Sequence, residues 1–264
     1  MKEFKAGSDG IGAASYLRVV IGGKISSGKT SLAATAPYPL FFADIREGGF
    51  KTLKTMSKNS KRRSYWWDPD FEPGVWAMES MLDYKPAVVR LQGMIAKKQC
   101  PYKTLVFDSL SVYGQRVLGE LKDRDPSVDN RQRYGSLGDA VSWMVAELHT
   151  LPLHVVWLCH INDEYQLAVP GKATAAVWAL MDYKWLIRAD VKANAKTDYQ
   201  LHTRPFRSAT WVGGRGELLP DPIIPSFKCL LPLVGVHDQP VSPAVPDYMG
   251  NAYPNGAVYQ LPEE

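Results

Sequence analysis

Four short apolar runs constrain the fold of this chain more than any other feature: SYLRVVIGG (15–23), PLFFADI (39–45), TLVFDSL (104–110) and HVVWLCHI (154–161). Each is nearly continuous, and each gives way to glycine, aspartate or histidine. Strands buried on both faces have this pattern, whereas half-exposed strands alternate. Helical spacing fills the gaps between them. KTSLAATA follows the first run and stops before Pro37. Val88, Leu91, Met94 and Ile95 share one face within 76–98, and Leu137, Val141, Met144, Val145 and Leu148 share one within 133–150. Strands alternating with helices predict an α/β fold, a mainly parallel sheet with helices on both faces. Later runs, WLIRADVKA, YQLHTRP and SATWVG, alternate and predict hairpin-like antiparallel strands toward the C-terminal side.

The chain has 264 residues, room for one large domain. Residues 1–16 are polar and glycine-rich and predict a flexible arm; 17–235 carry the strand and helix patterns. Proline is frequent near the end, and 236–264 predict a disordered tail. Cys100, Cys159 and Cys229 have neither metal-ligand spacing nor an even number for disulfides, which predicts a reducing, cytoplasmic environment. No apolar run approaches the roughly 20 residues of a membrane span. A net charge of +4 permits a nucleic-acid partner without requiring one.

The first run leads into GKISSGKT, residues 23–30, which matches Gly-x-x-x-x-Gly-Lys-[Ser/Thr] at every position. Between a strand and a helix, that spacing grips phosphate. Gly23 and Gly28 let the backbone turn its amide N–H groups inward, and Lys24, Ile25, Ser26 and Ser27 supply the intervening amides. Lys29 brings an ammonium to the outer phosphates, Thr30 a hydroxyl suited to Mg²⁺, and Ser31, next on the helix, is the last of the candidate nucleotide-binding residues. A magnesium site also needs a carboxylate from a neighbouring strand end. Asp108 ends TLVFD and fits, though Asp108-Ser109 could equally cap the following helix. A base to align attacking water would come from the end of the second run, ADIREGG. Glu47 is the candidate and Asp44 the competitor. His160 ends the fourth run, where it could hydrogen-bond a terminal phosphate or be a partly buried strand-end histidine. Cys159 and His160 point to opposite faces and form no nucleophile pair.

In order and context these elements resemble the RecA-like ATPase core, and most closely the bacteriophage RecA-like recombination ATPases of the single-domain, single-strand annealing type. The likeness runs from about Tyr16 to Leu233 through GKISSGKTSLAATAP, PLFFADIREGG, KTLVFDSL, YGSLGD followed by LPLHVVWLCHINDE, AVPGKAT, and HTRP followed by LPDPIIPSF. ADIREGG has one residue more than relatives between its strand-end acid and the Glu before the glycines, and 57–67 have no counterpart. The resemblance implies ATP and Mg²⁺ as cofactors, a homo-oligomer with nucleotide at the subunit interface, and work on single-stranded DNA in recombination, annealing or replication. It also implies a basic residue from the neighbour. Lys172, Arg204, Arg207 and Arg215 are candidates, each also readable as a surface cation. For DNA, KRRSYWW (61–67) joins Lys61, Arg62 and Arg63 to Tyr65, Trp66 and Trp67, the mixture that single strands favour. The loop 162–176 after His160 is a second DNA candidate.

Overall fold

In the computed structural model of the chain, the described residues are 16–37, 39–45, 48–49, 51–52, 75–77, 84–170, 173–192, 197–215, 219–223 and 225–234. Glu47, Lys172, the KRRSYWW segment and the C-terminal tail lie outside them.

Among the described residues, eight strands form one sheet: β1 (Arg18–Gly23), β2 (Leu40–Asp44), β3 (Val75–Ala77), β4 (Thr104–Asp108), β5 (His154–His160), β6 (Tyr183–Val191), β7 (Thr197–His202) and β8 (Gly213–Gly214). Their order is β3-β2-β4-β5-β1-β6-β7, with β8 also on β6. Pairing is parallel from β3 across to β6, and antiparallel where β7 and β8 join β6.

The four apolar runs became the four central strands because both of their faces are covered. Alternate residues feed two cores. Val20, Phe107, Val155 and Trp157 face one; Val19, Ile21, Val106, Val156 and Leu158 face the other. The first core is roofed by α2 (Tyr84–Ala96), α3 (Leu110–Arg124), α4 (Asn130–His149) and α5 (Ala173–Leu180). The predicted stripe of α4, from Leu137 to Leu148, is fully buried there. Each such side chain contributes roughly 1.5–3 kcal/mol. The second core lies under α1 (Lys29–Ala33), through Leu32 and Ala33, and under α6 (Phe227–Leu230). Ser109 caps α3 by accepting from the Val112 amide, and Asp129 caps α4 by accepting from the Gln132 amide at 2.9 Å. At the far end of α4, Trp157 Nε1 donates to His149 Nε2 at 2.9 Å. Burial, aided by the nearby Arg18 guanidinium, lowers the His149 pKa to about 3.

Four expectations need correction. β6 is parallel to β1 from Tyr183 to Ile187, and only its other edge forms a hairpin with β7. Its polar second half, which runs past the end of β1, gave the run its alternating look. The helix expected over 76–98 begins at Tyr84, and Val75–Ala77 instead extend the sheet beside β2. SATWVG (208–213), expected as a strand, is turn as far as Val212, and only Gly213 with Gly214 joins β6. After β5 the chain makes a compact turn, with the Asn162 amide donating to the Gln166 carbonyl and the Tyr165 amide to the Asn162 carbonyl. Two turns of α5 then follow.

Candidate functional site

The loop joining β1 to α1 carries the site. Ser26 (φ 62°) and Gly28 (φ 90°) are both left-handed, and turns of this kind point successive amides into one concavity. Gly28 requires glycine for its φ, and a Cβ there would lie 3.1 Å from the Tyr199 ring; at Gly23 a Cβ would lie 2.9 Å from the Ile187 carbonyl oxygen.

Sheet order brings the other residues to the loop. β5 separates β1 from β4, so the carboxyl ends of the three strands present Gly23, His160 and Asp108 along one edge. Lys29 is 6% exposed; its ammonium donates to the carbonyls of Gly23 (2.9 Å) and Lys24 (2.8 Å) and lies 3.4 Å from His160 Nδ1. Thr30 Oγ1 donates to Asp108 Oδ2 at 2.9 Å. Asp108 is buried, and Ser109 takes the capping role that Asp108 could have filled. His160 is held through its backbone, its amide donating to Ser111 Oγ at 2.9 Å. Cys159 turns inward, its Sγ 3.2 Å from the same Ser111 hydroxyl, so the two neighbours do face opposite ways.

These groups open into a cavity of about 330 Å³, lined by Ile25, Ser26, Gly28, Lys29, Thr30 and Ser31 together with Asp108 and His160. Gly48, Gly49, Thr52 and Tyr199 complete the lining. Gly23 contributes its carbonyl beneath the loop and Ser27 is buried. Lys24 turns away to pair with Asp163 at 2.7 Å, tying the loop to the turn after β5. That hydrogen bond raises the Lys24 pKa and lowers that of Asp163. Of the two base candidates, Asp44 is buried at the end of β2, in register with Asp108. Glu47 lies outside the described residues, but Gly48 and Gly49, which follow it, line the cavity.

The basic candidates that are described lie elsewhere. Arg204 Nε donates to the Leu219 carbonyl, and Arg207 Nη1 to the Tyr165 hydroxyl. Arg215 Nη2 donates to the Ala179 carbonyl. Sequence reasoning missed Tyr199, Thr52 and Ser111. Tyr199 carries only the alternation of an ordinary strand residue, and sheet order alone brings it over Gly28.

Chemically, an enclosed ammonium beside a glycine-bearing turn suits a chain of phosphates. A hydroxyl and a carboxylate already in contact form a hard-oxygen pair that fits Mg²⁺. A mostly parallel sheet flanked by helices, with this loop at its carboxyl edge, defines a P-loop NTPase. A sequence model described as an AAA domain matches residues 15–203, and the chain belongs to that family. The class is that of nucleotide-binding ATPases, which typically use Mg²⁺. A comparison with curated proteins found no match.

Proposed function

We propose that this protein is a Mg²⁺-dependent ATPase of the RecA-like recombination type, of bacteriophage kind, which forms homo-oligomers and acts on single-stranded DNA. The observation that carries the nucleotide chemistry is the line of Lys29, His160 and the Thr30–Asp108 pair along one sheet edge.

Each residue has a distinct task in this reading. The loop amides and Lys29 neutralise the phosphates, and charge that develops on the outer oxygens is met by an ammonium shielded from water. Thr30 and Asp108 would hold Mg²⁺, which supplies charge neutralisation between the outer phosphates. His160, beside Lys29, donates a hydrogen bond to the terminal phosphate. Glu47 orients the attacking water, with Asp44 the alternative: Asp44 is in register with Asp108, and Gly48 and Gly49, next after Glu47 in sequence, line the cavity.

Assembly is favoured by the cation inventory. Among the described residues lining the cavity, Lys29 is the only cation. A neighbouring subunit's arginine or lysine would add the second positive group that phosphoryl transfer uses. The DNA role rests on the family resemblance, the net positive charge and the basic-aromatic run at 61–67.

The test is ATP turnover by the full chain with and without single-stranded DNA, alongside its sedimentation. Turnover that rises with DNA, in a particle larger than the monomer, supports the reading. DNA binding without turnover points to a nucleotide-dependent assembly module, and phosphate appearing on a small acceptor points to a kinase.

A further inference from the structure

The cavity has a second end that the phosphate chemistry does not use. β6 and β7 run on past the end of β1: Gly23 pairs with Ile187, while the hairpin continues through Val191 and Thr197. Tyr199 lies on this extension. It is two residues from Leu201, so both side chains share a face, the one on which α1 packs. One edge of the Tyr199 ring rests on Gly28, the residue is 45% exposed, and it lines the cavity. Its hydroxyl and ring make no hydrogen bond, ring pair or cation contact with any described residue. Ile25, at the tip of the loop, is 81% exposed and lines the same cavity.

We infer that Tyr199, with Ile25, forms the platform for the nucleobase, so that the site takes a purine nucleoside triphosphate with its base stacked on the Tyr199 ring. The inference rests on the nucleotide reading above and deepens it. Direction decides where the base goes. Asp108 and His160 stand on one side of β1, on β4 and β5. Tyr199 stands on the other side, on β7. With strands about 4.8 Å apart, the edge from β4 to β7 spans roughly 15–20 Å. A triphosphate whose outer end meets Thr30, Asp108 and His160 therefore extends its nucleoside toward the hairpin. There it meets an open aromatic ring and an exposed aliphatic side chain, the surfaces that attract a flat, weakly hydrated base. Larger purine faces stack better than pyrimidines, so the platform also sets a base preference.

The test titrates the full-length protein, wild type and the Tyr199→Ala and Tyr199→Phe variants, with MgATP, MgCTP and magnesium tripolyphosphate. The expected result for Tyr199→Ala is a loss of MgATP affinity of about five-fold or more, the lower end of what base–aromatic stacking contributes. Tripolyphosphate affinity should stay within about two-fold, and the preference for ATP over CTP should collapse. Tyr199→Phe should behave as wild type. Equal losses for ATP and tripolyphosphate would mean that the ring only shapes the phosphate loop, and unchanged ATP affinity would mean that the base lies elsewhere; either overturns the inference. Wild-type protein that binds none of the three ligands would instead overturn the phosphate-loop reading on which this one rests.

Discussion

The narrowest part of the proposed metal site is the contact between Gly49 and Asp108, and adding one methyl group there probes it. A Cβ built on Gly49 would lie 2.5 Å from Asp108 Oδ2 and 3.2 Å from two carbons of the Phe42 ring. Ordinary contact begins near 3.4 Å, so the carboxylate must retreat by about 1 Å. Phe42 is buried and cannot yield in its place. Such a retreat breaks the Thr30–Asp108 hydrogen bond, and bonds to a charged acceptor contribute about 1.5–3 kcal/mol. Overpacking a well-filled site costs about 1–3 kcal/mol. For Gly49→Ala we expect a net destabilisation of at least about 2.5 kcal/mol, a fall in Tm of at least roughly 5–10 °C for a domain of this size. Displacing a catalytic group by 1 Å costs about 100-fold in rate, so turnover should fall by that order and require more magnesium. Magnesium-free nucleotide binding should persist, because Lys29 is untouched. Gly93→Ala is the control. It lies in α2 with nothing within 4 Å of its added Cβ, and should stabilise by about 0.5–1 kcal/mol. Wild-type stability and magnesium dependence in Gly49→Ala would refute the reasoning.

Two further outcomes follow from other contacts. His160→Ala should reduce turnover by about 10- to 100-fold while leaving ATP affinity within about three-fold, since the histidine is placed to act on the terminal phosphate rather than to hold the nucleotide; steady-state kinetics beside equilibrium binding separate the two effects. His149 should make the fold acid-sensitive. Its folded pKa of about 3 is below the unfolded value of 6.5, so below pH 6.5 the unfolded chain binds a proton that the folded chain refuses. Stability is therefore full above pH 6.5 and declines toward pH 3, by at most about 1.4 kcal/mol per pH unit. His149→Gln keeps an acceptor for Trp157 and should flatten that slope by about one proton in denaturation measured across pH.

The parallel core and the phosphate loop could be read from sequence because each leaves a local signature. Runs such as VVWLC are apolar throughout since both faces are covered, and GKISSGKT has a spacing that few other structures need. Asp108 and His160 were visible for a related reason: a polar residue ending an apolar strand lies at the sheet edge. What escaped depended on contacts between distant segments. β6 borders β1 on one side and a hairpin partner on the other, and its mixed burial imitated a surface strand. Three-residue β3 is too short to show any period. Tyr199 is 171 residues from Gly28 in sequence, and only the β1-β6-β7 order brings the two together.

Calorimetric titration of the purified full-length protein with MgATP, beside the Lys29→Ala variant checked for an intact fold, tests the central claim most directly. A triphosphate held by the loop amides and the Lys29 ammonium predicts saturable heat at one site per chain for wild type and none for the variant. A folded wild-type protein that gives no heat, or a variant that binds as tightly as wild type, would contradict it.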